Sequence, residues 1–315
     1  MKVAFLGNLA GFEAAKQHLR GMQCLRIDPD APNHSQIEDL DGIIDGALKI
    51  RLDASFLNRT PRLRAIVSAS TGTDHIDLDA LAERNIAFDC LRNYPDFLDG
   101  ITSTPEHAWA LLLGCARQLT RAHAHVQLGD WDRMAFPAFG LSGKVLGLVG
   151  LGRVGRHLAK YGAAFGMQVL AFDPAPNRIP DGVEMVDFEG LLANSDVVSV
   201  QVHLAPETRH LLNAKALGLM KPRAIFINVS RGALVDEEAL ARSLQSGHLL
   251  AAGLDVIEGE PDVRASPLWP LLQDGDRVLL TPHIAGTAVE SLSAACGKAG
   301  ELMESLLRAK AGMSQ

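Results

Sequence analysis

The segment Gly150-Leu151-Gly152-Arg153-Val154-Gly155 constrains the fold of this chain more than any other. It follows an apolar run, Lys144–Val149, that reads as a strand, and it opens a helical pattern, Arg156–Phe165. The next strand pattern closes on Asp173, about 20 residues further on, the spacing of a dinucleotide-binding βαβ unit. Gly150 permits the tight turn, Gly152 lets backbone approach a pyrophosphate, and Gly155 lets the helix pack close to the strand. The amides of Arg153 and Val154, at a helix N-terminus, are placed to meet phosphate oxygens. Asp173 can accept hydrogen bonds from both ribose hydroxyls and would face a 2′-phosphate with a like charge, which favours NAD over NADP. Arg178, nearby in sequence, leaves that preference open.

The rest of the chain supplies the sheet this loop needs. In the first hundred residues Val3–Leu6, Gly42–Ile44, Ala65–Ser68 and Ile86–Phe88 read as strands, with Phe12–Leu19 and Leu78–Arg84 as helices between them. A second series follows: Val145–Val149, Gln168–Phe172, Val197–Val202, Ala224–Val229, Ala251–Asp255 and Arg277–Leu280. Strands alternating with helices predict parallel α/β sheets. A long helix is expected from Pro105, with Thr104 as its cap and Glu106 in its first turn. Its stretch Trp109–Ala116 is apolar almost all round and should be buried between domains or subunits. Val289–Ala311 reads as an amphipathic terminal helix.

A length of 315 residues fits two domains. The net charge of -7, with no basic block, argues against a nucleic-acid or anionic-membrane surface. The stretch Met1–Arg20 lacks a signal core, and no run of about 18 apolar residues is present to span a membrane. The four cysteines, Cys24, Cys90, Cys115 and Cys296, are scattered, as reduced thiols of a cytoplasmic protein would be. No His/Cys/acid cluster has metal-ligand spacing.

Three segments after the glycine loop carry candidate chemistry, each just past a strand pattern, where open α/β sheets bind ligands. In Asn228–Asp236, Arg231 could grip a carboxylate through two parallel hydrogen bonds, or form a surface ion pair with Asp236 or Glu237. Gly253–Pro261 supplies Asp255, Glu258 and Glu260, and Thr281–Gly286 supplies His283. A carboxylate beside a histidine favours imidazolium and fixes the ring, making a proton donor near neutral pH. The histidines His75, His107, His123 and His125 read as loop or helix residues with no part in the chemistry.

With these motifs in this order, nearly the whole chain resembles the D-isomer-specific 2-hydroxyacid dehydrogenase family. The resemblance implies two doubly wound parallel-sheet domains, a Rossmann cofactor domain (100–286) inserted into a flavodoxin-like substrate domain (1–99 plus 287–315), with the active site in the cleft. It implies a catalytic trio of Arg231, Glu260 and His283, and a nicotinamide contact at Asp255. Further cofactor contacts are implied at His203, Pro206, Thr208, Val229 and Gly286, and a carboxylate-binding backbone at Ser70, Thr71 and Gly72. It also implies a homodimer through the helix Glu106–Arg121. The activity expected is NAD-dependent hydride transfer at C2 of a small 2-hydroxy or 2-keto acid such as glyoxylate, hydroxypyruvate or a phosphoglycerate-like compound. Glu260, an acid where formate-oxidising relatives carry Gln, disfavours formate oxidation. The Arg that phosphoglycerate members place near Ala47-Leu48-Lys49 is missing, and Gln201 and His203 depart from the family pattern. The alternative from another class is a non-catalytic NAD(H)-sensing scaffold of the same fold.

Overall fold

The computed structural model describes residues 1–29, 37–274 and 277–312. The chain divides into two compact units, Met1–Ile101 with Thr287–Gln315, and Thr102–Gly286.

The first unit is built on five parallel strands: β1 (Lys2–Leu6), β2 (Gln23–Ile27), β3 (Gly42–Asp45), β4 (Ala65–Ser68) and β5 (Ala87–Cys90). Their order, β2-β1-β3-β4-β5, is the flavodoxin-like one. Strand β2 is absent from the sequence reading. Only Ile27 in it is fully buried, so it has neither a continuous apolar run nor clean alternation. Successive residues of β1 face opposite ways and feed two cores. Val3 and Phe5 join the layer of α1 (Leu9–Lys16) and the terminal helix, α12 (Val289–Lys310). Ala4 and Leu6 join the layer of α2 (Ala54–Leu57) and α3 (Leu78–Glu83). Each fully buried Leu or Ile here, such as Ile43 or Ile66, contributes about 2 kcal/mol relative to exposure. Helix α12 seats on α1 at Gly300, where a Cβ would lie 2.3 Å from the Ala15 carbonyl oxygen.

The second unit holds seven parallel strands: β6 (Val145–Val149), β7 (Gln168–Phe172), β8 (Val183–Met185), β9 (Val197–Val200), β10 (Ile225–Asn228), β11 (Ala251–Leu254) and β12 (Val278–Leu280). The order β12-β11-β10-β9-β6-β7-β8 reverses direction between β6 and β9, the switch point of a Rossmann sheet. The short edge strand β8 is a second element the sequence reading lacks; with three partly exposed residues it carries no core signal. Strand β9 ends two residues before the expected Val202. Past it the Gln201 amide still donates to the Val149 carbonyl at 2.8 Å, while its own carbonyl lies over the glycine turn, where a Cβ on Gly150 would come within 2.7 Å of it.

The long helix departs from expectation in three ways. It starts at Ser103 with Thr102 as N-cap, so Pro105 sits in the first turn, where its missing N–H costs no helical bond. It does not run on to Arg121: Gln118 takes a left-handed conformation (φ 50°) and divides α5 (Ser103–Arg117) from α6 (Leu119–Gln127). And its apolar stretch is covered inside its own unit. Leu111 packs at Gly253 of β11, Gly114 admits the Leu279 side chain of β12, and Trp109 stacks edge-on against Tyr161 and Phe165. In contrast, α6 buries none of its residues.

Candidate active site

The glycine loop is shaped by the side chains it lacks. Gly150 (φ 99°) occupies a backbone conformation that strains any Cβ-bearing residue. A Cβ on Gly155 would come within 2.3 Å of the Gly150 carbonyl oxygen, so helix and turn could not close together. A Cβ on Gly152 would meet no protein atom within 4 Å; its neighbourhood is open. Gly152 is the N-cap of α7 (Arg153–Ala164), whose first amides belong to Arg153 and Val154. Asp173, the residue after β7, braces the turn, accepting from the Leu151 amide at 2.8 Å and the Ala175 amide at 2.9 Å. An ionised carboxylate has about four acceptor positions, which leaves capacity for ribose hydroxyls. Close by, the Gln201 side-chain oxygen is buried with no partner. An open backbone cradle, a helix N-terminus, spare carboxylate capacity and an orphaned acceptor fit a dinucleotide.

The remaining cofactor-binding candidates are less direct. The Thr208 hydroxyl donates to the His203 carbonyl (2.7 Å) and accepts from the Ala205 amide (2.8 Å), so it holds its own loop. His203 and Pro206 are exposed beside it. Val229 is buried in the sheet core, and a Cβ on Gly286 would meet only open space.

The candidate catalytic loops follow three adjacent strands, β10, β11 and β12, at their carboxyl ends. His283 Nδ1 lies 2.8 Å from Glu260 Oε2, both side chains about one-third exposed. Glu260 Oε1 also accepts from the Ile257 amide at 3.2 Å, so the carboxylate bridges its own loop and the histidine. Arg231 follows β10; its Nη1 donates to the Ser230 carbonyl at 2.7 Å, and its own carbonyl accepts from Asn228 Nδ2 at 2.8 Å. The next residue, Gly232, lies against the other loop: a Cβ there would sit 1.9 Å from the Ile257 carbonyl carbon and 2.1 Å from the Glu258 nitrogen. The Arg231 loop and the Glu260 loop are therefore in backbone contact.

Two buried carboxylates, neither given this role from sequence, hold these loops. Asp255 Oδ1 accepts from the Thr281 hydroxyl (2.5 Å) and the Ile284 amide (2.9 Å), and Oδ2 from the Ala285 amide (2.7 Å). Its backbone carbonyl accepts from the His283 amide at 2.8 Å. Burial pushes the Asp255 carboxyl up, but hydrogen bonds from His107, Thr281 and the two amides outweigh it and hold the group below its ordinary value. This clamp stabilises His283 in a left-handed conformation (φ 55°). The carboxylate expected to contact nicotinamide is thus engaged in fixing the histidine loop. Glu237 does the same for the Glu260 loop, accepting from the Glu258 amide and, at 2.6 Å, from the Ser266 hydroxyl. Asp236 is the N-cap of α10 (Glu237–Gln245), accepting from the Ala239 amide. His107, read as a plain helix residue, reaches the site: its Nε2 lies 2.8 Å from Thr281 Oγ1 and 3.4 Å from Asp255 Oδ1. Only the register of α5 on β11 and β12 could have revealed it.

In the first unit Ser70, Thr71 and Gly72 form a loop past β4. The Ser70 hydroxyl is 3.1 Å from that of Ser68 and donates to the Gly72 carbonyl at 2.9 Å, while Arg92 clamps the Thr71 carbonyl with Nε at 3.0 Å and Nη2 at 2.7 Å. His75, read as a loop residue, pairs at 2.6 Å with buried Asp45 at the end of β3.

Fold and site together define a dinucleotide-binding Rossmann unit carrying a His–Glu pair past its last strands, in a chain that also holds a flavodoxin-like unit. Residues 109–285 match the NAD-binding domain, and residues 12–95 the catalytic domain, of the D-isomer specific 2-hydroxyacid dehydrogenases, and the chain belongs to that family. It is 37% identical over 280 residues to the glyoxylate reductase of Thermococcus litoralis, covering 84% of this chain and 81% of that one. It is 41% identical over 243 residues to the D-3-phosphoglycerate dehydrogenase of Mycobacterium leprae, covering 76% of this chain. The chain spans less than half of that relative's length, 44%. The D-lactate dehydrogenase of Aquifex aeolicus, solved with NAD and lactic acid, superposes with a TM-score of 0.84 at 27% identity, over 99% of this chain and 97% of that one. NAD is the cofactor of the second unit.

Proposed function

We propose that this chain is an NAD-dependent D-2-hydroxyacid dehydrogenase that reduces a small 2-keto acid, in the class of glyoxylate, hydroxypyruvate or a phosphoglycerate-like compound. The observation that carries the reading is the 2.8 Å contact between His283 Nδ1 and Glu260 Oε2 at a strand end of a dinucleotide-binding sheet. With Nδ1 turned to a carboxylate, Nε2 is the ring nitrogen left to face substrate and hold a transferable proton. Bound NADH supplies the hydride. Arg231 orients the keto acid and stabilises the charge that develops on its carbonyl oxygen. His283 delivers the proton to that oxygen, and Glu260 keeps the ring in register. The backbone of Ser70–Gly72, knotted by Ser70 and Arg92, is the proposed contact for the substrate carboxylate. The carboxylate of Asp173 at the end of β7 supports NADH over NADPH.

The relatives named above support the substrate class, and their spread leaves its side chain open. A panel of glyoxylate, hydroxypyruvate, pyruvate, phenylpyruvate and 3-phosphohydroxypyruvate, run with NADH and with NADPH, tests the reading. Turnover with at least one acid and preference for NADH are expected. Tight NADH binding with no turnover on any of them would instead describe a scaffold.

We further propose a homodimer and a cytoplasmic site of action. The support for self-association lies outside α5. Leu128, Trp131 and Met134, just past the end of helix α6, are 81%, 87% and 77% accessible, more than isolated surface apolar residues explain. Four free cysteines accord with a reducing compartment.

A further inference from the structure

The loop Ser70–Gly72 past β4 owes its surroundings to the strand beside it. Ser68 pairs with Cys90 in the parallel ladder of β4 and β5, and the pairing runs on past both strands, where the Leu91 amide donates to the Ser70 carbonyl at 3.1 Å. That contact brings the one-turn helix Leu91–Asn93 to the loop and sets Arg92 beside Thr71. Two donors of the guanidinium then converge on one neutral oxygen, Nε at 3.0 Å and Nη2 at 2.7 Å from the Thr71 carbonyl. A carboxylate would be the more usual partner for such a fork. The nearest acid in sequence, Asp89, is engaged elsewhere: it accepts from the Cys90 amide at 2.8 Å, Asn93 Nδ2 at 2.8 Å and the Tyr94 hydroxyl at 2.6 Å. Among the described residues Arg92 pairs with no carboxylate.

Peptide resonance gives this placement its meaning. The Thr71 carbonyl belongs to the same peptide group as the Gly72 amide. The Gly72 carbonyl, which accepts from the Ser70 hydroxyl at 2.9 Å, belongs to the same group as the Thr73 amide. A donor on the oxygen of a peptide group polarises it and strengthens its N–H as a donor, by roughly 10–30% per bond. A cationic donor does so more than a neutral one. The two amides strengthened in this way, those of Gly72 and Thr73, have no acceptor among the described residues. Gly72 is nonetheless a buried residue, and buried amides are rarely left unpaired in native proteins.

We propose that Arg92 is a positioning residue for the substrate: through the Thr71–Gly72 peptide it makes the Gly72 amide a strong donor to the substrate carboxylate, and Ser70 does the same, more weakly, for the Thr73 amide. This role rests on the loop being the carboxylate contact, as proposed above, and supplies the source of its strength. Arg92 acts through the peptide without touching the substrate. Its charge therefore appears in the affinity for the acid, and not in cofactor binding or in the hydride and proton steps.

The test is steady-state kinetics of wild type, Arg92→Gln, Arg92→Lys and Ser70→Ala with the best acid of the panel. Inhibition by oxamate, a non-reacting mimic of a 2-keto acid, and NADH affinity are measured on the same samples. Arg92→Gln, which keeps a donor and loses the charge, should raise KM for the acid and Ki for oxamate by about tenfold, with kcat and NADH affinity within about twofold of wild type. Arg92→Lys, which keeps the charge, should stay within about threefold in KM, and Ser70→Ala should raise KM about threefold. A side chain that only pinned the loop would leave the Gln and Lys variants alike. That equality, or an unchanged KM in Arg92→Gln, would overturn the role of Arg92 while the dehydrogenase reading stands. A wild type that turns over none of the acids would overturn both.

Discussion

The glycine loop after β6 and the histidine loop after β12 stand on one sheet and are built on opposite plans. The first is made by omission: Gly150, Gly152 and Gly155 serve by having no Cβ, and a single carboxylate, Asp173, braces the turn. The second is made by addition: His283 is held by Glu260, by the Asp255 clamp and, through Thr281, by His107. A loop that must admit a long, flat ligand gains from empty space, whereas a loop that must hold one ring for proton transfer gains from surrounding donors and acceptors. The plans meet at Gly232, a missing Cβ that lets the Arg231 loop lie on the Glu260 loop.

The contrast predicts a hierarchy of damage. Gly232→Ala should be the most severe, because its methyl would overlap backbone, which cannot swing aside. We expect a loss of about 3 kcal/mol or more by denaturant melt, with activity lost in what remains folded. An alanine here with near-normal stability would show that the two loops are not pressed together. Glu260→Gln should fold normally and lower turnover by about a hundredfold, with NADH affinity changed by less than about twofold. An equal fall in cofactor affinity would mean that Glu260 serves the fold of the site more than its chemistry.

Asp255→Asn is expected to cost about 2 kcal/mol at neutral pH, since a buried amide replaces an acceptor of three donors. The folded value of Asp255 lies below the unfolded one of about 3.9, so its stabilisation is complete above that pH and disappears as pH falls through the folded value. Melts of wild type and Asp255→Asn should therefore converge in acid and diverge above about pH 4; a constant gap would break the clamp. The smallest effect concerns thiols. Burial pushes Cys115 and Cys296 up to about 12 and raises Cys24 as well, but Cys90, Cys115 and Cys296 are buried and Cys24 is only half-buried, so Cys24 should be alkylated first at neutral pH, by mass spectrometry of partially labelled protein.

The same contrast explains what could be read from sequence. Omission is written in residue type, so Gly150, Gly152, Gly155 and Asp173 announce their loop at a fixed spacing, and the apolar runs announce the central strands. The Glu260–His283 pair required the order of whole segments, 23 positions apart, and a family resemblance. His107 lies 174 positions from Thr281 and Glu237 lies 21 from Glu258; no local pattern links such partners, because packing of helix on sheet creates the contact. The edge strands β2 and β8 were hidden for a different reason: half-exposed strands carry little apolar signal. The break at Gln118 was hidden because a helical apolar pattern continues across it while one backbone dihedral changes sign.

The central claim is that His283 hands over the proton in the reduction. Single-turnover oxidation of bound NADH by the best acid of the panel, compared between wild type and His283→Ala with NADH affinity measured on the same samples, tests it most directly. The account predicts a turnover loss of about a thousandfold with cofactor binding essentially unchanged. Turnover within a few-fold of wild type, or a matching collapse of NADH binding, would contradict it.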